Sequence, residues 1–227
     1  MGLTFKIINS ILGIDDSYKA PSRLMDLLFD KKDREFMFRE FLEHEKDMSF
    51  DWFHVYFQEE HAQRKTKKQD FTPSSISEIL SRIIDVEANS KSGMRLDVAA
   101  GTGGLTITRW NDDRLNNHPF EYKPSMYFYQ CEEMSDRALP FLLFNLLIRG
   151  MNAVVVHGDA LHRTANQVYF IQNEKDDHMC FSSLNMMPHN STVEREFDVR
   201  EWTAEPIDYI ENMEMPDHLK GLIGDAI

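Results

Sequence analysis

One segment limits the fold more than any other: Asp97-Val98-Ala99-Ala100-Gly101-Thr102-Gly103-Gly104, preceded by Met94-Arg95-Leu96 and followed by Leu105-Thr106-Ile107. A short apolar run that ends in an acid and three glycines, then resumes at helical spacing, reads as a buried strand, a tight turn and a helix. In a doubly wound α/β sheet this is where backbone comes close enough to touch a nucleotide-like ligand. Glycine permits that approach because it has no Cβ and tolerates positive φ. A phosphate-binding loop would continue with Lys-Ser or Lys-Thr, and Leu105-Thr106 follows instead. A dinucleotide turn would need Gly-x-Gly-x-x-Gly, and position 106 is Thr. Two readings survive. One is a purely structural glycine turn. The other is a ligand site in which Asp97 faces a cationic or hydrogen-bond-donating group while Gly101 and Gly103 leave room for the ligand.

The surrounding pattern supports a sheet. A strand over residues 94–99 is followed by a helix over 103–110, a polar loop over 111–119, a strand over 125–131, a helix over 135–149 and a strand over 153–156. That βαβαβ succession predicts parallel strands. Upstream, Thr72 as N-cap and Pro73 as the first helical residue start a helix with Ile76, Ile79, Leu80, Ile83 and Ile84 on one face. Further upstream, Leu24, Leu27, Leu28, Phe36, Phe38, Phe41 and Leu42 predict two or three helices, starting near Pro21-Ser22 and broken at 47–49. Trp52, Phe53, Tyr56 and Phe57 continue at helical spacing and read as a packing face rather than a base-stacking platform. Downstream, 168–171 and 179–181 are expected to be strands around the polar turn 173–177, and an acidic loop with one short helix is expected from Pro188 onward. The expected division is a helical segment over 1–69, a cofactor-binding domain over 70–187 and an acidic extension over 188–227.

At 42% hydrophobic residues the chain supports one substantial core. Its longest apolar stretch, 139–148, carries Pro140 and Asn145 and is too short for a membrane span. Residues 1–16 show no signal-peptide pattern, so a cytoplasmic protein is expected. Cys131 and Cys180 are too few for a disulfide framework and lack metal-site spacing, so no metal is expected. The net charge of -13 argues against a broadly DNA-binding surface, but the acidity is concentrated: residues 159–227 carry 5 basic and 14 acidic side chains. A DNA-facing surface is compatible with the first two thirds, whereas the acidic end would repel nucleic acid or meet a partner's basic surface.

Four elements then occur in order: Phe71-Thr72-Pro73, the Asp97 to Gly104 loop, an acid at Glu132 or Glu133, and Asn145 to Gly150 closing a helix. In this arrangement the chain, over roughly residues 70–161, resembles the N6-adenine DNA methylases related to modification subunits of type I restriction systems. The resemblance implies a Rossmann-like methyltransferase fold, S-adenosylmethionine as cofactor and DNA adenine as methyl acceptor, reached through a partner subunit if this chain does not hold DNA itself. The implied cofactor residues are Phe71, Thr72, Pro73, Asp97, Ala99, Gly101, Thr102, Gly103, Gly104, Glu132, Glu133, Asp159 and Ala160. Glu133 is preferred to Glu132 for the ribose hydroxyls, since the two point to opposite faces of a continuing strand. Asp159 is either an acceptor for the adenine amino group or the cap of its own turn. The family's Asn-Pro-Pro-Tyr/Phe catalytic loop does not occur in the sequence. Asn185-Met186-Met187-Pro188 is the nearest variant, with Asn185 as a weak catalytic candidate. A non-catalytic protein that keeps the cofactor pocket and uses its acidic end for a partner is therefore the competing expectation.

Overall fold

A computed structural model describes residues 2–62, 93–212 and 216–217. Four helices open the chain: α1 (Phe5–Leu12), α2 (Ala20–Leu28), α3 (Lys31–His44) and α4 (His54–Ala62). Local chemistry sets their limits. The Thr4 hydroxyl caps α1 by accepting from the Ile7 N–H, and Gly13 ends the helix at φ 67°. Asp30 caps α3 by accepting from Asp33 N at 2.9 Å.

After β1 (Gly93–Val98) come α5 (Gly104–Leu115), β2 (Tyr127–Glu133), α6 (Leu139–Ile148) and β3 (Ala153–Asp159). The three strands are parallel, as the βαβαβ pattern predicts, and they lie side by side in the order β1-β2-β3. Helix α5 runs through residues expected to be loop. Asp113, polar in sequence, is buried and gripped by Arg95 at 3.0 Å and Arg109 at 3.1 Å. Tyr129 adds a hydroxyl hydrogen bond to the same carboxylate at 3.0 Å. A charge paired on several sides is tolerated inside a helix that an unpaired one would break.

Past β3 the chain reverses. β4 (Thr164–Gln172) pairs antiparallel with β3, β5 (Ser183–Met186) pairs antiparallel with β4, and β6 (Glu201–Trp202) pairs parallel with β4. The strand expected at 179–181 lies instead in a turn, where Cys180 N bonds Asp177 O at 2.9 Å and the Asn173 carboxamide ties the turn together. The strand follows two residues later. Beyond Pro188, α7 (Ser191–Glu196) is capped by Asn190.

Side-chain alternation divides the sheet into two faces. Tyr127, Tyr129, Cys131, Ala153, Val155, Tyr169 and Ile171 belong to one apolar cluster shared with α6 and the N-terminal helices. Phe128, Val154, Val156, Val168 and Phe170 belong to a second, smaller cluster with Val193, Phe197 and Val199. Every residue of α6 is buried, which explains why this helix is apolar all round. The sheet covers it on one side and the helical segment on the other: Phe38, Phe41 and Phe53 each approach Phe144 with ring centroids 4.8–4.9 Å apart. Trp52, Phe53, Tyr56 and Phe57 are all buried here, so they form a packing face. Among the described residues, no helix is long and apolar enough to cross a membrane.

Candidate cofactor site

The C-terminal ends of β1, β2 and β3 meet at one edge of the sheet, and the glycine turn closes over them. Contact between β1 and β2 reaches two residues past the ladder's last residue, Val98, because Ala100 N bonds Glu132 O at 3.0 Å. Three residues of the turn have left-handed backbone: Ala99 at φ 65°, Gly101 at 60° and Gly103 at 95°. Left-handed backbone is costly for alanine, and such positions cluster at ligand sites. Gly103 is favoured by its backbone, since φ 95° strains any L side chain, and it packs close to Leu142 Cδ1 on α6. Gly103 has no side chain with which to cap α5, and the Asp97 carboxylate takes the N–H of Thr106, the third residue of that helix.

Glu133 reaches into this turn. Its Oε2 accepts from Gly101 N at 2.6 Å, and its Oε1 accepts from Ser135 N at 2.7 Å. Glu132, on the opposite face, pairs with Arg163 at 3.1 Å. The structure therefore brings Glu133, and not Glu132, to the glycine turn. Asp97 accepts the Thr106 hydroxyl at 2.5 Å. Burial raises the Asp97 carboxyl above the ordinary range; the Thr106 hydrogen bonds oppose this and the nearby Glu133 charge adds to it.

Thr102 turns inward. Its hydroxyl donates to Asp51 Oδ2 at 2.5 Å, and its carbonyl accepts from Asn145 Nδ2 at 2.8 Å. Asn145 Nδ2 also bonds Asp51 Oδ1 at 2.8 Å. Arg149, wholly buried, donates to the Asn145 side chain and to the carbonyls of Met48 and Phe50. Burial pushes its pKa down to about 9, still well above neutrality.

Asp159 caps its own turn: Oδ1 accepts from Leu161 N at 2.8 Å and His162 N at 3.1 Å, and Oδ2 meets His162 Nδ1 at 2.7 Å. The hydrogen bonds to His162 and to backbone hold its carboxyl below the usual range. The Ala160 carbonyl accepts from Arg163 at 3.3 Å. Phe71, Thr72 and Pro73 lie outside the described residues. Asn185 is not brought to the glycine turn. Through the pairs Asn185–Phe170, Phe170–Val154, Val154–Gln130 and Gln130–Leu96 it sits four strand spacings from β1, about 19 Å. Its carboxamide oxygen accepts from Glu211 N and Asn212 N at 2.8 and 3.0 Å, anchoring residues 211 and 212 to β5.

Several residues here escaped sequence reasoning. Met134 and Leu161 follow the acids at the ends of β2 and β3 and are 63% and 91% exposed, unusual for apolar side chains beside a polar turn. Their signal was available, as apolar residues one and two positions after a strand-ending acid. Asp51 had none, because nothing in its neighbourhood points to a loop 51 residues away.

The family model for N-6 DNA methylases matches residues 46–201, more than half of the chain. A search of curated proteins finds no match. The family match covers β1 through β5, ends at the first residue of β6, and also takes in the loop that carries Asp51. The chain belongs to the N-6 DNA methylase family.

Proposed function

We propose that the chain binds S-adenosylmethionine at the ends of β1, β2 and β3. The observation that carries this reading is the Glu133–Gly101 hydrogen bond, which draws the acid of the second strand onto the glycine turn after the first. The donor set fits the ligand. Asp97 offers its remaining carboxylate lone pairs to the methionine ammonium, and the start of α5, where Gly103 has no capping side chain, offers N–H groups to the methionine carboxylate. Glu133 has lone pairs left for the ribose hydroxyls. Met134 and Leu161 present apolar surface to the adenine ring. When bound, the cofactor supplies an electrophilic methyl group. The protein holds and orients it and keeps the turn rigid around it. Calorimetric titration with S-adenosylmethionine and its demethylated product tests the reading. A folded Gly101→Leu variant that binds as well as the parent would overturn it.

On its own the chain transfers that methyl group to DNA poorly, and a partner subunit provides the target-base contacts. Three observations support this. The Asn-Pro-Pro-Tyr/Phe tetrapeptide does not occur in the sequence, the Asn185 oxygen is engaged in anchoring residues 211 and 212, and residues 159–227 are strongly acidic. Precise placement of a flipped adenine supplies several kcal/mol of barrier reduction, and a surface of this charge gains little from phosphate contacts. The acidic end is assigned to the partner's basic surface. A single-turnover radiolabel assay with excess protein and unmethylated DNA decides. Efficient adenine labelling, lost in Asn185→Ala with cofactor binding intact, would refute the reading.

A further inference from the structure

We propose that Asp51, in the loop between α3 and α4, is a positioning residue for the cofactor: it fixes the glycine turn through Thr102. The inference rests on the cofactor reading above. Asp51 is 9% exposed and its carboxylate meets three donors. Oδ1 takes Phe53 N at 2.9 Å and Asn145 Nδ2 at 2.8 Å, and Oδ2 takes the Thr102 hydroxyl at 2.5 Å. Each partner comes from a different part of the fold: its own loop, α6, and the glycine turn. Asn145 closes the set by bonding the Thr102 carbonyl as well, so both polar ends of Thr102 are held from below. Arg149 holds Asn145 and pulls the 48–50 backbone onto α6. The turn above has three consecutive odd positions at positive φ, a shape that the chain does not keep unaided. Thr102 stands between Gly101, whose N–H is held by Glu133, and Gly103, which fits under Leu142. Fixing Thr102 therefore fixes the N–H and Cα positions on both sides of it. The helical segment is part of the cofactor site, and the family match beginning at residue 46 includes this loop.

The test reads affinity and stability separately. Calorimetric titration with S-adenosylhomocysteine is run on the full chain, on Asp51→Ala, Asp51→Asn and Thr102→Val, and on the Asp51→Ala/Thr102→Val double variant, each with its thermal midpoint. Losing a hydrogen bond to a charged group should weaken binding by about tenfold in Asp51→Ala and in Thr102→Val. Because both cut the same link, the double variant should also lie about tenfold below the parent rather than about a hundredfold. Asp51→Asn, whose amide donates to a Thr102 hydroxyl turned to accept, should recover binding to within about threefold. A purely structural Asp51 would lower the midpoint and leave the affinity of the folded protein unchanged, which overturns the proposal. Additive losses in the double variant overturn it too. Should Asp51→Ala fail to fold, Thr102→Val decides alone, since an unchanged affinity there is fatal. If the parent chain binds no S-adenosylhomocysteine, the cofactor reading itself falls, and this is seen before any variant is compared.

Discussion

Glu133 Oε2 accepts the backbone N–H of Gly101 at 2.6 Å, while its neighbour Glu132 faces the other way and pairs with Arg163 at 3.1 Å. Two adjacent acids thus serve different purposes, and substitutions should separate them. Glu133→Gln places an amide N–H against either the Gly101 or the Ser135 donor, and cofactor affinity should fall by about tenfold or more. Glu132→Gln should keep affinity within about twofold but cost about 1–3 kcal/mol of stability through the Arg163 pair. Titration calorimetry and urea unfolding of both variants check this, and the reverse pattern would assign the cofactor role to Glu132.

Backbone shape in the turn gives a second test. Gly101 at φ 60° is unstrained, and Gly101→Ala should lose about 1–2 kcal/mol. Ala99 at φ 65° already carries that strain, so Ala99→Gly should be neutral or stabilising by up to about 1 kcal/mol. The two unfolding free energies, compared with the parent, should differ in sign or nearly so. Equal losses would mean that the turn is not held in this form.

Asp97 predicts a pH dependence. Its carboxyl is raised by burial, so the folded chain holds that proton more tightly than the unfolded one. This group therefore weakens the fold at neutral pH and weakens it less as pH falls through the raised value toward the ordinary one. Cofactor binding runs the opposite way. Protonation removes the charge that attracts an ammonium, so affinity should decline over the same acidic window. Asp97→Asn should bind weakly but without that dependence. A parent affinity flat from neutral pH down to the ordinary carboxylate range would exclude Asp97 as the ammonium partner.

Thiol labelling reports on the core beneath the site. Cys131 is fully buried under the sheet face that carries α5 and α6, and burial, with Asp97 adding, pushes its thiol far above the usual range. Cys180 is partly exposed in the turn after β4. An alkylating reagent should modify one thiol in the native chain, at position 180, and both after unfolding, as read by mass spectrometry.

The first half of the sheet was legible because its signals are local. Short apolar runs separated by helical stretches predicted β1, β2 and β3 and their parallel direction, and Pro140 sits near the start of α6 as helix-starting prolines do. Past Asp159 the signals fail. The strand β5 is only Ser183–Met186, with polar residues at 183 and 185, whereas Met179-Cys180-Phe181 is more apolar and belongs to a turn held by Asn173. Helix α5 outran its expected end because the partner of Asp113 that matters most, Arg95, lies on β1, 18 residues earlier. The site shows the same limit. Glycines, Asp97 and the acid pair could be read in sequence, but the choice of Glu133 depends on β2 keeping its alternation through residue 133. Asp51 depends on contacts spanning 51 and 94 residues.

The β3–β4 hairpin bears on how the chain reaches its native state. Only residues 160–163 separate the two strands, so this pairing closes at little entropic expense and needs no other element in place. The parallel pairs require a crossover helix, and the Asp51–Asn145 bond must close 94 residues. The folding nucleus is thus predicted at Val154, Val156, Val168 and Phe170, with φ-values well above those at Asp51 and Asn145. Stopped-flow chevrons of conservative variants at these positions would measure the order. On this ordering the glycine turn takes its shape last, during the final consolidation of a sheet that is already paired.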